Sequence, residues 1–257
     1  MLGWQIFIHS VRMVFSNLLE ALQIGLVPSV AAAIFSTLVL GLASANGIDA
    51  GDPAMHLTAK DALNVVLAAL INILVSLWIF VAWHRFVLLE EYPKGWIPSF
   101  NLDRIGAYIW CTVQLIVVCV IASVVILVPL LLVGSILAAI VPPLGYLLQL
   151  LPFAAFFVVY VLFIRLGAAL PAAAIGEPLG FMDAKKATEG SNGTITIVVL
   201  ILAFVQVVLS LLIFQASQIL PIVGIASQTI IGLVISLVNV SVLTTVYGIY
   251  VEKRELA

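Results

Sequence analysis

Charged side chains are scarce in this chain. Lys and Arg number 10 and Asp and Glu 12 among 257 residues, 9% of the total, against about 25% in soluble domains. Such a chain lacks the polar surface that a water-soluble fold needs. The two signs nearly cancel, leaving a net charge of -2, so there is no basic footprint for nucleic acid. Histidine is as thin. His9, His56 and His84 do not fall at ligand spacing, and no metal site is expected. Paired carboxylates and a nucleophile beside a base are both missing. The reading is therefore of a non-enzyme, with no catalytic residue and no cofactor. The two cysteines, Cys111 and Cys119, fall within one expected span. They are separated by about 12 Å along a helix, beyond the ~7 Å limit for a disulfide, so they do not pair with each other. The first residues, MLGWQIFIHSVRMVF, lack the basic start, compact apolar core and small-residue cleavage site of a secretory leader, and none is expected.

What the chain has instead is apolar length. Hydrophobic residues make up 64%, and the mean hydropathy is +1.30. Residues 21–48, 62–84, 105–164 and 190–251 carry no Asp, Glu, Lys or Arg. A helix needs about 20 apolar residues to cross the hydrocarbon. The first two gaps hold one span each and the last two hold two each. The fold class expected is an all-α bundle of six transmembrane helices. They fall at about 21–43, 63–86, up to about 132, 146–169, 196–214 and 222–247.

The joints are legible too. Residues 4–20 show helical periodicity but mixed polarity, with His9, Ser10, Arg12 and Asn17 among apolar residues, and read as an interfacial helix. Pro28 is expected to kink the first span. The polar loop at 46–61 holds Asn46, Asp49 and Asp52, whose spacing suits a turn rather than a calcium loop. Thr58 and Asp61 form a T-x-x-D capping box for the second span. Trp78, Trp83, Tyr92 and Trp96 supply an aromatic belt. Ser99 or Asn101 caps a short segment at 102–108 that feeds the third span. Gly134 to Gly145, charge-free and holding Pro142 and Pro143, is expected to form a tight turn at or slightly inside the far interface. Amphipathic lead-in, span, turn, span and charged exit recur three times, with exits at His84-Arg85, Arg165 and Lys253-Arg254. Three helical hairpins in one transmembrane domain, about 4–88, 98–170 and 180–253, account for this.

If the N-terminus is cytoplasmic, Arg12, Arg85, Lys94, Arg104, Arg165, Lys185, Lys186, Lys253 and Arg254 share its side, and Lys60 alone lies opposite. That asymmetry places both termini of a multi-pass membrane protein in the cytoplasm.

The candidate site residues are structural or interfacial: Arg165, His84, Arg85, Glu177, Lys185 and Lys186. Arg165 ends an apolar run and needs either a partner, with Glu20, Glu90 and Glu177 in view, or a path for snorkelling to water. Its role is to anchor the fourth span, and Arg165→Lys is expected to preserve it. His84 reads as an interfacial histidine, with a proton relay or headgroup contact as the alternative. Residues 181–189 form a short amphipathic helix. Phe181, Ala184 and Thr188 face the bundle, Asp183, Lys185, Lys186 and Glu189 stay wet, and Gly190 serves as a left-handed cap. Two lysines fall short of the four to eight expected of an anionic-lipid cluster. Asn64, Asn72, Gln114, Gln149, Gln206, Gln228 and Asn239 lie inside spans. They read as interhelical hydrogen-bonding groups, with a substrate path as the alternative.

The pattern R-L-x-x-x-L-P-A-A-A-I-G-x-P-L-x-x-x-x-A at 165–184, followed by Thr188 and Gly190, resembles uncharacterised bacterial inner-membrane proteins of the YciC-type family. It also resembles the membrane domain joined to some glycerophosphodiester phosphodiesterases. WHRFVLLEE at 83–91 adds to the likeness. The resemblance implies a non-catalytic membrane module. The chain departs from it at Gly180, where a polar helix cap is usual, and holds no phosphodiesterase domain, so that activity does not carry over. The function expected is that of an accessory or scaffold subunit, or a protein organising membrane lipid. Its partners would be membrane lipids and a larger membrane-protein complex or a second copy of itself, met through small-residue faces such as 31–36. The alternative is a small-molecule or lipid transporter.

Overall fold

A computed structural model describes residues 2–45, 59–141, 148, 150–177, 179–219 and 221–255. The 46–58 loop with Asn46, Asp49, Asp52 and Thr58 of the capping box lies outside the described residues, as do Pro142 and Pro143, Gln149 and Pro178.

Every regular element among the described residues is an α-helix: α1 (Leu2–Ser16), α2 (Leu18–Ala45), α3 (Ala59–Leu89), α4 (Leu102–Ile140), α5 (Leu151–Leu166), α6 (Ala169–Ile175), α7 (Phe181–Ala187), α8 (Asn192–Ile219) and α9 (Pro221–Tyr250). Six stretches are long and apolar enough to cross a membrane: Leu18–Gly41, Ala59–Leu89, Leu102–Ile140, Leu151–Ile175, Asn192–Gln218 and Ala226–Tyr250. Hydrocarbon offers no partner to a backbone N–H or C=O, and a helix satisfies all of them within itself. The chain is an all-α, multi-pass integral membrane protein.

The third and fourth spans differ from the sequence expectation, and the third does so at its far end as well, where α4 continues through residues 134–140, expected to form a turn. The segment at 102–108 is not a separate lead-in. It runs unbroken into the third span, giving one helix of 39 residues, about 58 Å long at 1.5 Å per residue. That exceeds the ~40–45 Å of a bilayer with its headgroups, so the first turn, with Asp103 and Arg104, stands beyond the hydrocarbon. The expected start of the fourth span at 146 lies outside the described residues, and the described helix begins at Leu151. This places Pro152 in the first turn, where its missing N–H costs nothing. The span then breaks at Gly167–Ala168. Pro171 has no N–H for the carbonyl four residues back, and its ring crowds that carbonyl. The Gly167 carbonyl instead accepts from the Leu170 N–H at 3.0 Å. Helix α2 continues across Pro28.

The long helices pack as α2 on α3, α4 on α5 and α8 on α9, and α1 lies along α8 and α9. Both described ends of the chain gather at one end of the bundle with Arg85, Lys94, Arg104, Arg165, Lys185, Lys186, Lys253 and Arg254, called here the basic end. The tightest core is also there. Ile6, Trp83, Tyr108, Ile195 and Tyr247 are almost wholly enclosed. Toward the far end the helices separate. On α4, Val117, Ile121, Val124, Val125, Val128, Leu132 and Ile136 are all exposed, as a lipid-facing helix requires.

The three helices that return to the basic end, α3, α6 and α9, each close on a left-handed residue: Glu90 (φ 54°), Gly176 (φ 88°) and Lys253 (φ 59°). At α3 the Glu91 N–H reaches back to the Arg85 carbonyl, and at α9 the Arg254 N–H reaches the Gly248 carbonyl at 2.9 Å. These bonds cap carbonyls that the helix leaves unpaired. Only glycine adopts this conformation without cost. At Gly176 a side chain would in addition strike the Arg104 guanidinium. Gly176→Ala is therefore expected to lower stability by about 1–2 kcal/mol, and Glu90→Gly to raise it by about 1 kcal/mol. Thermal unfolding in detergent checks both. An unchanged midpoint for Gly176→Ala contradicts the assignment.

Candidate functional site

The basic end is tied together through the segment from Arg165 to Asn192. Arg165 closes α5, and its guanidinium spreads over the end of α7. Nε donates to Thr188 Oγ1 at 3.1 Å, Nη1 to Asn192 Oδ1 at 2.8 Å and Nη2 to the Lys185 carbonyl at 3.0 Å. None of the three carboxylates in view, Glu20, Glu90 and Glu177, bonds it. Glu177 instead accepts from the Tyr247 hydroxyl at 2.7 Å, tying the α6 exit to α9. Arg165 sits where the open carbonyls of a helix C-terminus attract a cation, so it needs no acid to balance it. Along residues 181–189 Ala184 and Thr188 are buried, while Asp183, Lys185, Lys186 and Glu189 are exposed, and Gly190 adopts φ 77°. Lys185 and Lys186 thus remain on the water face. Only the backbone of Lys185 joins the network.

Arg85 links the α3 exit to α6. Its guanidinium pairs with Glu91 at 2.6 Å and donates to the Ala174 carbonyl at 3.3 Å. Burial alone would raise the Glu91 carboxyl. Hydrogen bonds from Arg85 and Ser99, with the charge of Arg85, outweigh it and hold the carboxyl below its usual range.

His84 is not exposed at the surface of the bundle. It is fully enclosed, between α4 and α9. Nδ1 meets Thr244 Oγ1 at 2.9 Å, and Nε2 meets the Tyr108 hydroxyl at 3.3 Å. The Thr244 hydroxyl donates to the Val240 carbonyl. A neutral imidazole, donating from Nδ1 and accepting at Nε2, satisfies every one of these bonds. Beside it Trp83 Nε1 donates to Ser241 Oγ at 2.8 Å, and Ser10 bonds Thr245 across α1 and α9 at 3.1 Å. Polar groups here lock helices to one another.

The far half is different. A cavity of about 520 Å³ opens among α2, α3 and α9, lined by Ser29, Ser36, Thr37, Asn72, Ser76, Gln228, Thr229 and Ser236. A second, of about 780 Å³, lies between α8 and α9 beside Gln206, Ser210 and Asn239. The two share Gln228, Gly232 and Ser236 and so form one cleft. Asn72 donates to Ser36 and to the Ala68 carbonyl. Gln228 and Asn239 have no hydrogen-bond partner among the described residues. Of the amides expected inside spans, Asn72, Gln206, Gln228 and Asn239 come together here. Asn64 and Gln114 do not. The hydroxyls were missed, although their signal is in the sequence: residues 228, 232, 236 and 239 fall on one stripe of α9, and 29, 33, 36 and 40 on one stripe of α2. The small-residue face at 31–36 turns partly inward. Ala32 is 5% exposed, and Ala33 and Ser36 line the cleft.

No family model, curated protein or solved structure matches this chain. The family resemblance rests on the residues at 165–184 and 83–91.

The three-way grip of Arg165 needs a planar fork, which lysine lacks. Both Arg165→Lys and Arg165→Leu are expected to lose about 1–2 kcal/mol of stability, contrary to a simple anchoring cation. A lysine variant with the parent's folded yield and thermal midpoint rejects the fork. The Arg85–Glu91 pair sets a pH dependence. A carboxyl lowered in the folded state stabilises above its ordinary value, 4.5, and that stabilisation fades as pH falls from there through the folded value. Glu91→Gln is expected to flatten the midpoint-against-pH curve in this acid range, and an unchanged slope counts against the pair.

Proposed function

We propose that this is a non-enzymatic carrier of the bacterial inner membrane, which takes a small polar or amphipathic molecule into the cleft among α2, α3, α8 and α9. The cleft carries the reading. Asn239, half-buried and without a partner inside an apolar span, represents a free-energy cost of about 1–3 kcal/mol unless water or a ligand satisfies it. Its stripe on α9 faces open space rather than another helix. Of the small-residue face at 31–36 that a partner subunit would meet, Ala32 is buried within the chain, and Ala33 and Ser36 line the cleft. Lys and Arg at the basic end favour a cytoplasmic placement of that end and of both termini. The packed His84 layer then closes the cytoplasmic side, and the cleft is reached laterally from the membrane or from the opposite face.

Gly232 provides the test. It lines both parts of the cleft, and a Cβ there meets nothing within 4 Å. Gly232→Leu therefore fills the cleft while the bundle keeps its fold. Native mass spectrometry after mild detergent extraction is expected to show a bound non-protein molecule on the parent and its loss from Gly232→Leu. A stoichiometric protein partner, retained alike by both, with no small-molecule difference between them, sinks the carrier reading in favour of a subunit.

A further inference from the structure

Resting on that cleft, we infer that its ligand is an uncharged amphiphile of the acylglycerol class, with a hydroxyl-bearing head in the polar cleft and an acyl chain in the apolar cavity beside it. That second cavity, of about 380 Å³, lies among α1, α8 and α9 and is walled by Phe7, Leu202, Ile231 and Val234. It shares Gln206, Ile235 and Asn239 with the polar cleft. Polar and apolar spaces thus meet at two amides, one on each of two neighbouring helices. A molecule lying across this junction must be polar at one end and oily at the other.

The charge of the lining selects among amphiphiles. No Lys, Arg, His, Asp or Glu lines either cavity among the described residues. A phosphate head would give up hydration on entering the cleft and find no cation there to pair with, which is unfavourable. An ammonium head would lack a carboxylate for the same reason. Asn and Gln each offer both donors and acceptors, and Ser and Thr offer one donor with acceptor lone pairs. That set matches hydroxyl and ester groups, which carry no charge. Of the cations that could hold a phosphate, Arg85, Arg104, Arg165, Lys185 and Lys186 stand at the basic end, and Arg12, on α1 next to Val11 of the apolar cavity, is exposed and lines neither cavity.

Photo-crosslinking tests the inference on the full chain in nanodiscs. Two probes with the same diazirine-bearing acyl chain are compared, a diacylglycerol and a phosphatidylglycerol, and the labelled peptides are mapped by mass spectrometry. The diacylglycerol is expected to label residues 202–209 and 230–238 roughly tenfold more than the phosphatidylglycerol does, a preference equal to one decade in affinity. Ile231→Trp, which fills the apolar side, is expected to remove this labelling. Equal or stronger labelling of the same residues by phosphatidylglycerol overturns the uncharged class and leaves the cleft as a lipid site. Labelling by either probe confined to the lipid face of α4, with none at α8 and α9, overturns the cleft itself. The comparison of the two probes on the parent chain decides the class even if the tryptophan variant does not fold.

Discussion

Hydrocarbon supplies no hydrogen-bonding partner, and the structure follows from that constraint. Each polar group must be satisfied by the chain, be carried to a water boundary or face a space that water or a ligand fills. The protein uses all three solutions, in different places. At the basic end the arginines and buried hydroxyls satisfy one another. Arg165 binds α5 to α7 and α8, Arg85 binds α3 to α6, and Tyr247 with Glu177 binds α9 to the same segment. The stretch from Arg165 to Asn192 thus touches all three pairs of long helices. Its geometry depends on a proline that cannot donate, and on two glycines, Gly176 and Gly190, held at positive φ.

The third solution is the one with functional content. Hydroxyls and amides that occur singly on a lipid-facing helix carry an unmet cost, and helix packing normally removes it. In the far half of this bundle packing does so only in part. Asn72 finds Ser36, while Gln228 and Asn239 face open cleft. A tight basic end and an open far half give the molecule one closed side and one accessible side. That is the arrangement a lateral binding site requires, and it needs no ionisable group in the middle of the membrane.

Much of the fold was legible in the sequence. The charge-free gaps give six spans, because span length is set by bilayer thickness and not by details of packing. The wet and buried faces of residues 181–189 also followed from helical spacing alone. Legibility ended where partners come from distant parts of the chain. His84 lies beside Arg85 in sequence and so reads as a surface residue, but it is buried by Tyr108 and Thr244, which no local pattern links to it. Arg165 drew attention to carboxylates because pairing rules weigh charge. Its partners are a hydroxyl, an amide and a backbone carbonyl. The span amides were visible, but whether four of them share a cleft depends on how α2, α3, α8 and α9 are set side by side.

The central claim is that water-accessible space reaches the Gln228–Asn239 stripe of α9 and stops before the His84 layer. A nitroxide scan of residues 226–247, one spin label at a time, measures this directly from collision with a water-soluble nickel chelate and with oxygen. The account predicts nickel accessibility that peaks at helical period on 228, 232 and 236 and vanishes from 240 onward. Oxygen maxima on those same positions, with no nickel signal along the stripe, would contradict it.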